Sequence, residues 1–172
     1  MATRWCIVLP LVLGLASPVA AATDPSPTVD RWTWPVVGPV LRPFDPPEDP
    51  YGAGHRGIDI GAPVGTPIVA AQDATVTFAG PVGGQLFVTL DHGGGLTSTY
   101  SWLSAIEVRR GQAVPQGELI GLTGAGHPGG AASHLHLGAK LDGSYVDPMS
   151  LLRPPPVSDL IHLAPDPDTG ET

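Results

Sequence analysis

The stretch Ser133-His134-Leu135-His136-Leu137 alternates polar and apolar side chains, and this alternation decides how the chain is expected to fold. A period of two is typical of a β-strand, because successive side chains of a strand point to opposite faces. His134 and His136 would then share one face, with their side chains roughly 7 Å apart. At that separation one histidine can bind a metal ion while the other faces what the metal holds.

Glycine and proline separate the apolar runs in the rest of the chain. The sequence has 23 glycines and 21 prolines, yet 42% of its residues are hydrophobic. Disordered chains combine so much glycine and proline with few hydrophobic residues. No stretch keeps a 3.6-residue apolar period. The pattern predicts an all-β fold class, a single domain of antiparallel sheets with a long loop-rich entry and little helix.

The entry region and the turns can be placed more closely. A first strand is expected within residues 31–38, and the proline-rich residues 41–50 are expected to form a surface loop, because proline lacks a backbone donor. Glycine-rich links downstream predict hairpins, and Asp142-Gly143 predicts a type I′ turn.

Composition shifts divide the chain into four parts. Residues 1–22 have a charged start, a short apolar run and small residues at the end, which is the pattern of a secretory signal peptide. The apolar run is shorter than the roughly 20 residues that span a bilayer. Residues 23–30 read as a linker, 31–152 as the domain and 153–172 as a proline-rich acidic tail with a brief ordered piece near 157–163. These features predict a secreted, extracytoplasmic protein without a stable membrane anchor after cleavage.

Charge and cysteine content exclude some classes of protein. The net charge is −8, whereas nucleic-acid binding needs a basic surface. The single cysteine, Cys6, would be removed with the signal peptide, so the exported domain could form no disulfide. A hydrophobic core, with the help of a metal, would have to hold the fold together.

A candidate metal site involves His55 and Asp59, four residues apart in a stretch rich in glycine. In a straight strand they would lie roughly 13 Å apart, so convergence on one ion requires a bend, which Gly57 allows. With His136 they would supply two imidazoles and one carboxylate, a set suited to zinc. The fourth position would be open to water, as in catalytic zinc sites. Each short motif alone is a weak signal.

Longer segments, taken in order, resemble the M23 family of secreted zinc endopeptidases of the lysostaphin and LytM type, which cut peptides in bacterial peptidoglycan. The matching segments are residues 55–67, 70–76, 88–96, 114–121, 134–136 and 146–148. The resemblance covers the chain from Trp34 to Leu152 and implies a LytM-like β-sandwich/barrel hybrid. It also implies zinc as the cofactor and peptidoglycan peptides as the partner.

The resemblance also assigns roles to residues. It makes His55, Asp59 and His136 the zinc ligands. His134 becomes a catalytic histidine that does not bind the metal, acting as a base or stabilising an oxyanion.

One position departs from the family pattern. Members of the family usually have a second catalytic histidine in a Tyr-x-His-Leu stretch, and here the stretch is Tyr100-Ser101-Trp102-Leu103. An indole offers one N–H donor and cannot take up a proton. Losing a general base typically costs about 100- to 10,000-fold in rate. Trp102 and Tyr100 are therefore auxiliary candidates that could equally pack in the core, and His127, on a glycine-rich loop, could replace the missing histidine in space.

Three interpretations of function remain open. The favoured one is a zinc endopeptidase acting on peptidoglycan, because all three ligands are present. The second is a degenerate, zinc-retaining but non-catalytic module that binds the cell wall or regulates a partner hydrolase, which Trp102 favours. The third is an exported β domain with a purely structural zinc, which the unliganded His134 disfavours.

Overall fold

The computed structural model describes residues 31–49, 52–130 and 132–154. The predicted signal peptide, the linker and nearly all of the tail lie outside the described residues, so the domain boundaries stay predictions. Within the described ranges, no helix is long and apolar enough to cross a membrane.

The described residues form ten strands of one antiparallel sheet. The strands are β1 (Val40–Arg42), β2 (Ile58–Gly61), β3 (Pro67–Val69), β4 (Ala74–Val82), β5 (Gln85–Asp91), β6 (Leu96–Ile106), β7 (Ala113–Val114), β8 (Leu119–Thr123), β9 (His134–Leu141) and β10 (Ser144–Val146), followed by a short 3-10 helix at Pro148–Ser150. The strand order is β1-β2-β9-β6-β5-β4-β7; β10 pairs with β9, and β8 pairs with β3 and β6. This architecture confirms the predicted all-β, antiparallel fold class.

Two hairpins have the two-residue turns that the sequence indicates. Gly83 and Gly84 join β4 to β5 with φ of 58° and 81°, and Asp142 and Gly143 join β9 to β10 with φ of 49° and 81°. Positive φ at both positions defines the type I′ turn, whose twist matches that of the flanking strands.

Strand β9 lies at the centre of the sheet and follows the predicted alternation. It pairs with β2 on one side and with β6 on the other. Leu135 and Leu137 are fully buried in the core with Ile58, Ile60 and Tyr100. The two histidines of β9 therefore face away from that core, as a period of two requires.

The entry to the domain differs from the expectation. Residues 31–38 form no strand; Trp32 makes only an isolated bridge, parallel to Leu152. The reason is that Pro35 has no N–H to donate to a ladder. Trp32 is nevertheless buried, and its Nε1 donates to Gln72 Oε1 at 3.0 Å.

The first strand, β1, instead overlaps the start of the segment expected to be a loop, at Leu41 and Arg42. Strand β1 pairs with β2 alone, so it is an edge strand. An edge strand needs partners for only one side of its backbone, and Pro43 can therefore follow it directly.

Candidate metal centre

Gly57 lets the chain bend between His55 and Asp59, as the sequence predicts. Arg56 and Gly57 form a bend, and β2 begins at the next residue. A Cβ atom at position 57 would lie 2.3 Å from the Leu137 carbonyl oxygen and 2.9 Å from His136 Nε2. Only glycine allows the backbone to approach β9 this closely.

The pairing of β2 with β9 brings Asp59 to His136. The two residues are direct partners in the ladder, and His136 Nδ1 lies 2.8 Å from Asp59 Oδ1. Side chains of directly opposed residues lie on the same face of a sheet. The antiparallel register thus supplies two of the predicted ligands.

His55 completes the predicted set. Its Nε2 lies 3.1 Å from Asp59 Oδ1 and 3.1 Å from His136 Nδ1. His127, on the loop that joins β8 to β9, belongs to the same group, since one ligand atom from each of the four residues lies within 4.8 Å of the others. The sequence had offered His127 only as a possible substitute for a missing histidine, because loop geometry depends on distant contacts.

The hydrogen bonding of His55 fits a group that could hold a cation. Its Nδ1 lies 2.7 Å from the carbonyl oxygen of Pro43, which can only accept a hydrogen bond. The proton is therefore on Nδ1, and the lone pair of Nε2 points at Asp59. An outer nitrogen held by a backbone carbonyl, with the inner nitrogen facing the ligand group, is the usual arrangement of a metal-binding histidine.

The electrostatics of the group agree with this. Burial alone would raise the pKa of the Asp59 carboxyl, but its contacts with His136 and His127 and the nearby His55 hold that pKa well below its usual range. Burial lowers the pKa of His55. An ionised carboxylate and a neutral imidazole are the protonation states that bind metal.

His134 lies beside the metal group without joining it. Its Nδ1 donates to the carbonyl oxygen of Ala132 at 2.7 Å, and its Nε2 lies 3.8 Å from Asp59 Oδ1. The backbone N–H of His127 donates to that Nε2 at 3.3 Å. The ring is only 1% exposed. His134 is thus close to the candidate metal and covered by the loop that carries His127.

Trp102 stands in a strained part of β6, close to the same group. Its φ is 66°, a left-handed conformation that a bulky side chain rarely adopts. The pairing of β6 with β5 shifts register here, between Leu103 and Ser101. The indole lies 6.1 Å from the His127 ring and 6.4 Å from that of Phe87, measured between ring centroids.

Trp102 and His136 also line a groove of about 520 Å³. One side of the groove carries the basic residues Arg56 and Lys140, with the Tyr145 ring beside them. Lys140 Nζ lies 4.4 Å from the centroid of the Tyr145 ring, and the guanidinium carbon of Arg56 lies 5.9 Å from it.

Tyr100 is not brought to the metal group. It is fully buried, its hydroxyl oxygen accepts a hydrogen bond from the N–H of Ala71 at 2.9 Å, and burial raises its pKa to about 12. Its side chain is part of the core, so its placement does not support the auxiliary role offered for it. His92 is also elsewhere, with its Nε2 2.8 Å from Ser98 Oγ.

Comparison with known proteins places the chain in a family. Residues 53–148 match the model of peptidase family M23, which is more than half of the 172 residues. The chain therefore belongs to peptidase family M23.

Three relatives share stretches of sequence with it. An uncharacterized protein of Mycobacterium tuberculosis is 41% identical over 157 residues, 87% of this chain and 61% of that protein. The DD-carboxypeptidase/endopeptidase Mpg of Neisseria meningitidis is 40% identical over 104 residues, 59% of this chain and 24% of Mpg. The murein hydrolase activator NlpD of Salmonella typhimurium is 31% identical over 137 residues, 78% of this chain and 35% of NlpD. The chain thus spans less than two thirds of each of these relatives.

Solved structures agree with the fold. A zinc-containing peptidase from Vibrio cholerae superposes with a TM-score of 0.60 at 27% identity, over 69% of this chain and 39% of that one. The catalytic domain of lysostaphin from Staphylococcus simulans gives a TM-score of 0.52 at 27% identity, over 66% of this chain and 88% of that one.

Proposed function

We propose that the protein is a zinc-dependent endopeptidase that hydrolyses peptide bonds in bacterial peptidoglycan outside the cytoplasm. The observation that carries the proposal is the convergence of His55, Asp59 and His136, whose ligand atoms lie 2.8–3.1 Å apart, in a member of a peptidase family. These three residues would hold the ion. Zinc bound there would polarise a substrate carbonyl and lower the pKa of a water molecule.

His134 is the residue proposed to move protons. Because its Nδ1–H is held by the Ala132 carbonyl, Nε2 is the nitrogen that can accept a proton or, once protonated, stabilise negative charge. This nitrogen lies on the side of Asp59. It therefore points toward the reacting centre, although the N–H of His127 occupies it in the described conformation.

The groove beside His136 is the proposed substrate site. Its open shape suits an extended peptide, and the positive charges of Arg56 and Lys140 suit the carboxylates that peptidoglycan peptides carry. An export signal in residues 1–22 would deliver the protein to that substrate. Mpg, a DD-carboxypeptidase/endopeptidase by name, supports the substrate class.

A second candidate function is that of a non-catalytic module that regulates a partner cell-wall hydrolase. Two observations favour it: Trp102, proposed to stand in place of a second catalytic histidine, cannot exchange a proton, and His134 is covered. The likeness to NlpD, a murein hydrolase activator, supports it as well.

Zymography on purified bacterial cell walls separates the two functions. The zinc-loaded protein is compared with the His134→Ala and His136→Ala variants. Cleavage by the unmutated protein alone is expected. One bound zinc without cleavage would contradict the enzyme, and the regulatory function would then be tested by adding the protein to a cell-wall hydrolase.

A further inference from the structure

We propose that His127 is a fourth protein ligand of the metal, so that the loop joining β8 to β9 closes the coordination shell. The inference rests on the proposed metal site of His55, Asp59 and His136. It differs from the expectation that the fourth position is open to water. It also gives His127 a different role from that of a substitute catalytic group.

The first support is the direction of the His127 ring. Its Nδ1 lies 3.1 Å from the carbonyl oxygen of Pro128, a partner that can hold the outer nitrogen when Nε2 binds an ion. Nε2 faces the metal group and lies 3.0 Å from Asp59 Oδ2. This is the arrangement found at His55, where a backbone carbonyl fixes the outer nitrogen and the inner one faces Asp59.

The second support is that the two carboxylate oxygens of Asp59 contact different histidines. Oδ1 contacts His55 and His136, whereas Oδ2 contacts His127. The four ligand atoms of His55, Asp59, His127 and His136 all lie within 4.8 Å of one another. An ion held by all four residues would replace the direct contacts of Asp59 with the imidazoles. Three imidazoles and a carboxylate are a donor set that zinc accepts.

The third support is the construction of the loop. Gly126 and Gly129 both have a φ of 85°. A Cβ atom at Gly126 would lie 2.3 Å from Cε1 of His134, and one at Gly130 would lie 2.5 Å from the same atom. Glycine at these positions lets the loop lie directly on His134 and present His127 to the metal group.

One conformation of the loop thus has two effects. It places the His127 ring in the metal group, and it places the His127 N–H on His134 Nε2. The ligand position and the proton-accepting nitrogen are both occupied. A peptide substrate would have to displace the loop, and that single movement would release both.

Metal binding by the full-length protein tests the inference. Zinc affinity is measured by competition with a chelator, and the ligand shell by the visible absorption of the Co²⁺ form. The His127→Ala and His127→Phe variants both lack the ligand nitrogen, while phenylalanine keeps the ring packing. We expect each to bind zinc at least about 10-fold more weakly and to change the Co²⁺ spectrum. His162→Ala, a histidine outside the described residues, is the matched control.

The outcomes distinguish this inference from the proposed function. Unchanged affinity and an unchanged Co²⁺ spectrum in both His127 variants, together with one tightly bound zinc, would overturn the fourth ligand and leave the proposed site intact. Failure of the unmutated protein to bind zinc, or binding unaffected by His136→Ala, would overturn the proposed site itself. Thermal unfolding of the metal-free variants checks that they fold.

Discussion

Gly57 is the residue on which the geometry of the candidate metal site depends most directly. Replacing it with alanine would put a Cβ atom against the backbone of β9 and against His136. We expect Gly57→Ala to lower the free energy of unfolding by about 1–3 kcal/mol, as overpacking does, and to weaken zinc binding. Urea unfolding and chelator competition measure the two effects.

The chain offers a matched control for that substitution. Gly80 lies in β4, and a Cβ atom there would meet only Phe78 Cζ, at an ordinary 3.7 Å. Gly80→Ala should change neither zinc affinity nor stability by much. Equal effects of the two substitutions would show that the close approach at Gly57 is unimportant.

Trp102 is proposed to stand in place of a second catalytic histidine, and one substitution tests that proposal. Trp102→His introduces a group that exchanges protons, and histidine tolerates a positive φ better than tryptophan. We expect cell-wall cleavage to rise by about 100-fold or more. Trp102→Phe, which removes the indole and adds no such group, is the control. Equal rates for the two variants would mean that proton transfer at this position is not limiting.

His92 predicts a dependence of stability on pH. Burial lowers its pKa from the usual 6.5. The unfolded chain therefore binds more protons than the folded one below pH 6.5, and stability falls as the pH falls through this range. Urea unfolding at pH 7.5 and 5.5 should show a smaller loss for His92→Gln than for the unmutated protein. An equal or larger loss in the variant would contradict the assignment.

The positions of the predicted site residues could be derived from the sequence to different extents. The alternation in β9 is a local pattern, so it correctly placed His134 and His136 on one face. The bend between His55 and Asp59 followed from the freedom of Gly57. The place of His127 could not be derived, because it depends on how the loop before β9 packs on His134. The same loop covers His134, so the burial of His134 could not be derived from the sequence either.

At the scale of the elements, Thr123 joins the end of β8 to the turn at residues 63–66. It is fully buried, its hydroxyl donates to the carbonyl of Pro63, and its Oγ1 accepts from the N–H of Thr66 at 2.9 Å. Thr123→Val keeps the shape and leaves both backbone groups without this partner. We expect a loss of about 1–3 kcal/mol in the free energy of unfolding.

Thr77 in β4 gives the comparison for Thr123. Its hydroxyl also donates to a backbone carbonyl, that of Thr89, but at an exposed position where water can replace it. Thr77→Val should change stability by less than about 0.5 kcal/mol. A similar loss in both variants would argue against burial as the reason for the effect at Thr123.

The hairpin strands could be predicted better than the edge strand of the sheet. The hairpins at Gly83-Gly84 and Asp142-Gly143 can be predicted from the sequence, because these turn residues accept a positive φ. The short edge strand β1 could not be found, because its few residues form a strand only when β2 lies beside them. The pairing with β2 determines that β1 is a strand, whereas the prolines of the sequence predict only a loop.

For the whole molecule, a bound ion would connect distant parts of the chain. His55 precedes β2, Asp59 lies in β2, His136 lies in β9, and His127 lies in the loop before β9. Zinc that binds only the folded protein adds about 2.7 kcal/mol of stability at a free concentration 100-fold above its dissociation constant. We expect zinc to raise the Tm by roughly 5–10 °C over the metal-free protein. Calorimetry of the unmutated protein and of His136→Ala measures this, and an equal rise in both would contradict specific binding.

The bridge between Trp32 and Leu152 has a consequence for how such a domain is used. Trp32 N–H donates to the Leu151 carbonyl at 2.9 Å, and Arg153 N–H donates to the Trp32 carbonyl at 2.8 Å. The first and last residues of the domain are therefore neighbours and are joined by backbone hydrogen bonds. A domain whose two ends lie side by side can be inserted into a longer polypeptide without distortion of either chain. A pull on both flanking segments would act first on these hydrogen bonds, before it reached the candidate metal site.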